Sequence, residues 1–142
     1  MIAAEADQSR VEQAAKDQAR SDAAEAARRA KLADQARAKQ VQAAEDRAER
    51  ALRKETVSGI EKSVKKMAKK HVRDDVITGG PIISVSCDPV AGGSVEDLDE
   101  KTTAFQCFAA NKDNKDGTLS GFYYHATMNW GTGSYTYGLG ES

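Results

Sequence analysis

The sequence predicts an α+β protein, in which a long N-terminal helix is followed by a small antiparallel β-meander that one amphipathic helix covers. Two contrasts along the 142 residues predict this class. Residues 3–52 contain neither Gly nor Pro and consist mainly of strong helix formers, whereas all eight aromatic residues lie between Phe105 and Tyr137. Charge divides in the same way, because residues 1–76 carry 18 Lys+Arg and 14 Asp+Glu, against 3 and 8 in residues 77–142. A basic helical half therefore precedes an acidic β half.

Residues 1–57 are predicted to form an alanine- and charge-rich helical arm. Alanine and the long charged side chains lose little entropy in a helix, and i,i+4 pairs such as Glu25–Arg29 each add about 0.2–0.5 kcal/mol. Small apolar side chains recur at steps of three and four, interrupted by Arg37, and this alanine stripe consists of Ala15, Ala19, Ala23, Ala26, Ala30, Ala33, Val41, Ala44, Ala48 and Leu52. Because alanine buries little area, three states stay open: a solvated single helix, a coiled coil that associates weakly through the stripe, and disorder.

Residues 58–142 are predicted to form a small α+β domain that begins with the amphipathic helix. The segment from Ser58 to Glu61 has the capping-box form S-x-x-E, so this helix is expected to start near Ser58, after a break at the Ser-Gly pair. One face then carries Ile60, Val64, Met67, Ala68, His71 and Val72. Asp74-Asp75 and then the Gly79-Gly80-Pro81 run are expected to end the helix, with glycine as the left-handed cap.

Alternating apolar runs predict the strands of the meander. Residues 81–87, 102–110, 118–130 and 135–139 are the four runs, and Asp116-Gly117 between the second and third is a hairpin-turn signal. The side chains expected to face the helix are Ile83, Val85, Cys87, Phe105, Cys107, Ala109, Phe122, Tyr124, Ala126, Met128 and Trp130. A sheet with one apolar face needs a cover, and the helix from residue 58 to 73 is the candidate.

The two cysteines, Cys87 and Cys107, occupy inward positions on strands that are expected to be neighbours. A disulfide between them would close a loop of about 20 residues and stabilise the fold by roughly 3 kcal/mol in the chain-entropy model. Such a staple matters in a domain with a small core. Two buried free thiols are the alternative. A disulfide implies an oxidising compartment, whereas free thiols are compatible with the cytoplasm.

The strand pair around the cysteines resembles small extracytoplasmic domains of actinobacterial single-span membrane proteins. The resemblance covers about residues 60–130 and depends on Val85, Cys87 and Pro89 in one strand and on Phe105 and Cys107 in the next. It implies an α+β fold, a disulfide between the two strands and a location outside the cytoplasm. The chain departs from the pattern in having Asp88 between Cys87 and Pro89, in its long arm, and in containing no apolar run long enough to span a membrane.

Two groups of side chains are candidate contact surfaces. The first, called here the basic face, consists of Lys62, Lys65, Lys66, Lys69, Lys70 and Arg73 on the amphipathic helix. Three interpretations stay open: a simply solvated face, pairing with the acidic β half of the chain, and contact with an anionic membrane surface or an envelope polymer. Nucleic-acid binding is disfavoured because no aromatic or polar base-reading residues are interleaved. The second is an aromatic surface formed by Tyr123, Tyr135 and Tyr137.

No residue pattern predicts catalysis, a metal site or a cofactor. In the segment from Lys112 to Tyr123, an EF-hand would need carboxylates where Lys112 and Tyr123 stand, so a simple turn is predicted. The sequence therefore predicts a non-enzymatic extracytoplasmic protein, anchored to a membrane by a segment outside this chain, whose arm presents a disulfide-stapled tip to a protein or envelope component. The alternative is a cytosolic coiled-coil scaffold or assembly protein.

Overall fold

The computed structural model describes residues 2–90 and 94–141 and confirms the α+β class. One helix, α1, spans Ile2–Arg73. Four strands follow, β1 at Ser84–Val90, β2 at Thr102–Asp113, β3 at Leu119–Asn129 and β4 at Ser134–Leu139. They form one antiparallel sheet in the order β1-β2-β3-β4, which is the predicted meander.

The chain divides into two compact units, Met1–Glu45 and Asp46–Ser142. In the first unit every side chain from Asp7 to Glu45 is exposed, including Val11, Leu32 and Val41. Local pairs support this part of the helix, for example Gln13 with Asp17 at 3.0 Å and Arg29 with Glu25 at 4.0 Å. Exposed pairs of this kind each contribute only a few tenths of a kcal/mol, so helix propensity supplies most of the local stability.

The second unit, called the head below, is built around the helical face that packs on the sheet. Ile60, Val64 and Ala68 are fully buried and recur at intervals of four residues, so they form one row along the helix. They belong to a single core cluster with Phe105 and Tyr124 of the sheet. The predicted cover of the meander by this helix is confirmed.

The predicted helix start at Ser58 is wrong, because α1 runs through Ser58 and Gly59 without interruption. Val57 packs against the core one turn before Ile60, so the buried face continues across the Ser-Gly pair. The Glu61 carboxylate, which a capping box would turn back to Ser58, instead accepts a hydrogen bond from the Cys87 amide at 2.9 Å. Tertiary packing therefore overrides the local start signal.

The head begins at Asp46, before the residue 58 that the sequence indicates, and Arg53 explains why. Its side chain is only 4% exposed and donates hydrogen bonds to the carbonyl oxygens of Asp97 at 3.1 Å and Leu98 at 3.4 Å. Its guanidinium also lies 4.6 Å from the ring centre of Trp130. Nearby, Arg50 Nε donates to the Glu96 carbonyl at 3.1 Å. We call Arg53, the segment 96–98 and Trp130 the arginine clamp.

The helix end and the first strand also differ from the expectation. The amide of Val76 donates to the carbonyl of His71 at 2.8 Å, and Asp75 adopts φ 58°. Asp75 is therefore the left-handed cap, a position that aspartate tolerates, and the predicted glycine cap at Gly79 is wrong. Ile83 lies beside α1, as predicted, but it is 49% exposed at the sheet edge because β1 starts at Ser84, and Ile82 is buried instead.

Candidate functional site: a stapled sheet beside a cation-lined groove

The structure contains the predicted disulfide between Cys87 and Cys107. The two residues face each other directly in the β1–β2 ladder, with Cα atoms 4.0 Å apart. Residues of a non-hydrogen-bonded antiparallel pair approach this closely, so the bridge joins the strands without breaking a ladder bond. Both residues are buried, at 6% and 0% exposure, and they pack under the helix. The bridge therefore fixes an edge strand of a small core.

The outer edge of β1 is protected by its neighbours. In a non-hydrogen-bonded pair the Cys87 amide points away from β2, and the Glu61 carboxylate accepts a hydrogen bond from it at 2.9 Å. Two residues further along the strand, Pro89 has no amide hydrogen to offer. Both devices reduce the capacity of β1 to pair with another chain.

The basic face lies on the side of α1 opposite the buried row. With 100° between successive helical residues, Lys62, Lys66 and Arg73 are directed about 160–180° away from Val64. All six side chains are exposed except Lys65, which is partly buried. Within residues 2–90 and 94–141, none of the six forms an ion pair, so their charges are available to an anionic partner.

Three of these cations border a groove between the end of α1 and strand β4. Its volume is about 480 Å³, within the range of ligand-binding clefts. Besides Lys66, Lys70 and Arg73, the residues that line it are Ser63, Met67, His71, Asp74, Val76 and Tyr137. We call this feature the helix–β4 groove. The other cations of the basic face do not line this groove, and two of them, Lys62 and Lys65, line a depression beside β1 instead.

Two hydrogen bonds hold the walls of the helix–β4 groove together. The hydroxyl groups of Ser63 and Tyr135 lie 2.7 Å apart and connect α1 to β4. His71 Nδ1 lies 2.7 Å from the Tyr124 hydroxyl oxygen, and the two rings stack with centroids 5.7 Å apart. Ser63 and His71 are therefore positioned by the core, which makes the groove a pre-formed feature of the head.

The predicted aromatic surface is divided between the two faces of the sheet. Tyr123 lies on the outer face, 46% exposed, with its ring centre 5.3 Å from that of Phe108. Tyr135 and Tyr137 pair with Met128 and Ala126, so they lie on the helix side, with ring centres 5.9 Å apart. The structure brings Tyr137 together with half of the basic face and leaves Tyr123 apart from both.

Sequence reasoning missed Arg53, Trp130 and Glu61 as a set that ties α1 to the rest of the head. The signal that could have found Arg53 is periodicity, because Arg53, Val57, Ile60 and Val64 follow steps of 4, 3 and 4. A charged residue is seldom counted as part of a buried row, since arginine is rarely buried without partners. Its local partner is Glu49, four residues earlier, at 3.2 Å. Its tertiary partners are the backbone carbonyls of residues 97 and 98, which carry no sequence signal.

Comparisons with family models, curated proteins and solved structures gave no match to this chain. Within the described residues, no group of three or more His, Cys, Asp or Glu side chains is placed to hold a metal ion. No helix in the described part of the chain contains a stretch long and apolar enough to cross a membrane. The candidate site is thus defined by its geometry: a buried disulfide, an unpaired basic face and the helix–β4 groove.

Tyr124 should make the head sensitive to alkaline conditions. Burial raises the pKa of the Tyr124 phenol above its ordinary value of 10.0. A raised folded-state pKa adds stability that is complete below the unfolded pKa and is lost as pH rises through the folded one, so stability should fall above about pH 10. We expect Tyr124→Phe to flatten this fall, measured as urea midpoints between pH 8 and pH 11. The matched control is Tyr123→Phe on the outer face, and equal slopes in the two variants would contradict the assignment.

Proposed function

We propose that this chain is a non-enzymatic extracytoplasmic binding protein, whose helical arm carries a disulfide-stapled head that contacts a protein or envelope component. The observation that carries the proposal is the buried Cys87–Cys107 bridge. Disulfides persist in oxidising compartments and are reduced in most cytoplasms, and small domains outside the cell depend on them. The resemblance of this strand pair to extracytoplasmic domains supports the same location.

The N-terminal unit supports the role of a spacer. A helix whose side chains from Asp7 to Glu45 are all exposed gains little from tertiary burial and depends mainly on the helix propensity of alanine and the long charged residues. Because each residue adds about 1.5 Å, the number of residues in such a helix defines its length. We propose that it separates the head from a membrane anchor supplied by a segment outside this chain.

The basic face supplies the contact in this proposal. Six cations on one side of a helix, unpaired within the described residues, create a positive potential that attracts acidic partners or anionic lipid. Among the described residues no carboxylate forms an ion pair with this face, and Glu96 pairs with Lys54 at 3.7 Å instead. We therefore assign the face to binding and propose no catalytic step.

The redox state of the cysteines in living cells tests the proposal. Cells that naturally produce the chain are quenched in acid, and the denatured protein is alkylated before mass spectrometry. We expect no alkylation without prior reduction, two adducts after reduction, and recovery of the protein in an extracytoplasmic or membrane fraction. Two adducts without reduction, or recovery in the cytoplasmic fraction, would overturn the proposed location. A Cys87→Ala/Cys107→Ala double variant is the control for alkylation at sites other than the two cysteines, and the reduced wild type is the control for complete labelling.

The second candidate function is a cytosolic coiled-coil scaffold or assembly protein, and the exposed N-terminal unit is what favours it. The alanine stripe is uncovered, with Val41 58% exposed, and Val11 one turn before its first alanine is 68% exposed, so a second helix could bury this side. Analytical ultracentrifugation of the full chain at tens of micromolar distinguishes the candidates. The scaffold function requires a dimer or trimer that Ala23→Glu/Ala30→Glu dissociates, whereas a strict monomer excludes it.

A further inference from the structure

The two edge strands of the sheet differ in their protection against pairing with another strand: β1 is protected, and β4 is open. On β1 the Cys87 amide is occupied by Glu61 and Pro89 has no amide hydrogen. Strand β4, with the sequence SYTYGL, contains neither proline nor a charged residue. Soluble proteins usually protect edge strands with such residues, because an unprotected edge is a template for another strand. An open edge in a protein that protects the opposite one is therefore a candidate pairing surface.

The hydrogen-bond alternation identifies which groups of β4 are open. Cys87 and Cys107 form a non-hydrogen-bonded pair, so successive pairs across the meander alternate in a fixed phase. In the β3–β4 ladder, this phase directs the backbone amides and carbonyls of Ser134, Thr136 and Gly138 toward β3. The amides and carbonyls of Tyr135, Tyr137 and Leu139 then point to the outer edge, and no group of the described residues pairs with them.

The helix–β4 groove runs beside these open groups. One helix is about 10 Å wide, whereas four strands spaced about 4.8 Å apart are wider, so α1 leaves part of the sheet uncovered. The uncovered part is on the β4 side, where Tyr137 is 36% and Leu139 is 41% exposed. Side chains of an added strand would therefore meet Tyr137, Met67 and Val76 on one side of the new backbone.

Charge indicates what the added strand carries. The groove is lined by the cations Lys66, Lys70 and Arg73 and by one carboxylate, Asp74. An acidic peptide would compensate the excess positive charge, whereas a second copy of β4 brings no carboxylate, because SYTYGL contains none. An anionic polymer without amide groups could neutralise the cations but could not satisfy the edge of β4.

We propose that the helix–β4 groove binds an extended, acidic peptide segment of a partner protein, which adds to β4 as a fifth strand. Main-chain bonds to Tyr135, Tyr137 and Leu139 supply affinity. Carboxylates at alternate positions of the peptide reach Lys66, Lys70 and Arg73 and supply specificity. This inference deepens the proposed function and depends on its binding role, because it specifies the partner's chemistry and the mode of contact.

The test uses the full chain, labelled with nitrogen-15, and a blocked octapeptide in which glutamate alternates with valine. We expect the amide signals of Tyr135, Tyr137 and Leu139 to shift on titration, and their hydrogen exchange to slow at least tenfold at saturation. A second peptide, N-methylated at every other residue, keeps its charge but loses the donors that face β4. It should bind at least tenfold more weakly.

Paired charge reversals locate the contact. Lys66→Glu/Lys70→Glu alters the groove and should weaken binding of the octapeptide at least tenfold. Lys62→Glu/Lys69→Glu makes the same charge change on the same helix outside the groove, and should weaken it less than threefold. Both variants exchange exposed side chains, and circular dichroism and the melting temperature verify that each is folded.

The outcomes separate this inference from the broader proposal. The N-methylated peptide could bind as tightly as the unmodified octapeptide, and both double variants could weaken octapeptide binding equally. The basic face would then bind anions without strand addition, which overturns the inference and leaves the binding role intact. Peptide-induced shifts of amide signals confined to β1 also overturn the inference. Protection of β4 amides from hydrogen exchange that rises with protein concentration in the absence of peptide overturns it in favour of a second copy of the chain. Failure of the cysteine-trapping experiment overturns the extracytoplasmic location alone.

Discussion

Removal of the disulfide by Cys87→Ala/Cys107→Ala is expected to lower the free energy of unfolding of the head by roughly 3 kcal/mol. The bridge closes a loop of 20 residues, and the chain-entropy model gives this loss for a loop of that length. Domains of this size are commonly stable by only about 5–15 kcal/mol, so the loss is a large fraction. Urea denaturation followed by the fluorescence of the single tryptophan, Trp130, measures it.

The same bridge should resist reductants in the folded protein. Both cysteines are buried, so a thiol reagent reaches the sulfur atoms only when the β1–β2 region opens. We expect reduction by dithiothreitol to be slow in buffer and to accelerate in urea below the unfolding midpoint. The reduced wild type should then unfold at nearly the same urea concentration as the double alanine variant, which itself should not respond to reductant. An unchanged midpoint after complete reduction would contradict the structural role of the bridge.

Substitution of Arg53 by alanine is expected to destabilise the head by about 2–3 kcal/mol, although Arg53 lies in the part of the chain that the sequence assigns to the arm. The change removes hydrogen bonds to the carbonyls of Asp97 and Leu98 and leaves these acceptors without their buried donor. It also removes the cation–π contact with Trp130. Arg53→Lys should recover only part of the loss, because an ammonium group lacks the planar fork that reaches both carbonyls.

Arg50→Ala is the matched control for the arginine clamp. Arg50 is exposed and donates one hydrogen bond, to the Glu96 carbonyl, so its loss should cost less than about 1 kcal/mol. Urea midpoints compare the variants, and the emission wavelength of Trp130 reports the clamp directly because its ring faces the Arg53 guanidinium. Equal effects of Arg50→Ala and Arg53→Ala would show that the head begins after residue 57, as the sequence indicates.

The sheet and its staple follow from short-range pattern. Phe105, Cys107 and Ala109 recur at every second position, with the less buried Gln106 and Phe108 between them, and the structure places all three in the core. An alternation of period two admits one inward face per strand, and a one-residue slip would expose the whole set. The pairing of Cys87 with Cys107 followed from the same alternation, because it placed both cysteines on the helix side of neighbouring strands.

The sequence predicted the disulfide and the cations of the candidate site but not the helix–β4 groove. The six cations of the basic face lie close together in the sequence, so their spacing predicts one positive side of a helix. Their division between the β1 side and the helix–β4 groove depends on where the sheet edges lie under α1. Tyr135 was predicted as part of an exposed surface, but its hydroxyl instead pairs with Ser63, a contact between residues 72 positions apart.

The sequence by itself determined the helical arm, the antiparallel meander, the inward position of both cysteines and the positive side of the helix, because each arises from local propensity or from a short-range periodicity. Only the tertiary structure decided that α1 continues through Ser58, that Arg53 belongs to the head, and that β4 has an open edge beside the groove. These features depend on contacts between distant residues. The free energy of a buried guanidinium or an unpaired strand edge is set by what surrounds it in space, which neighbouring sequence does not encode.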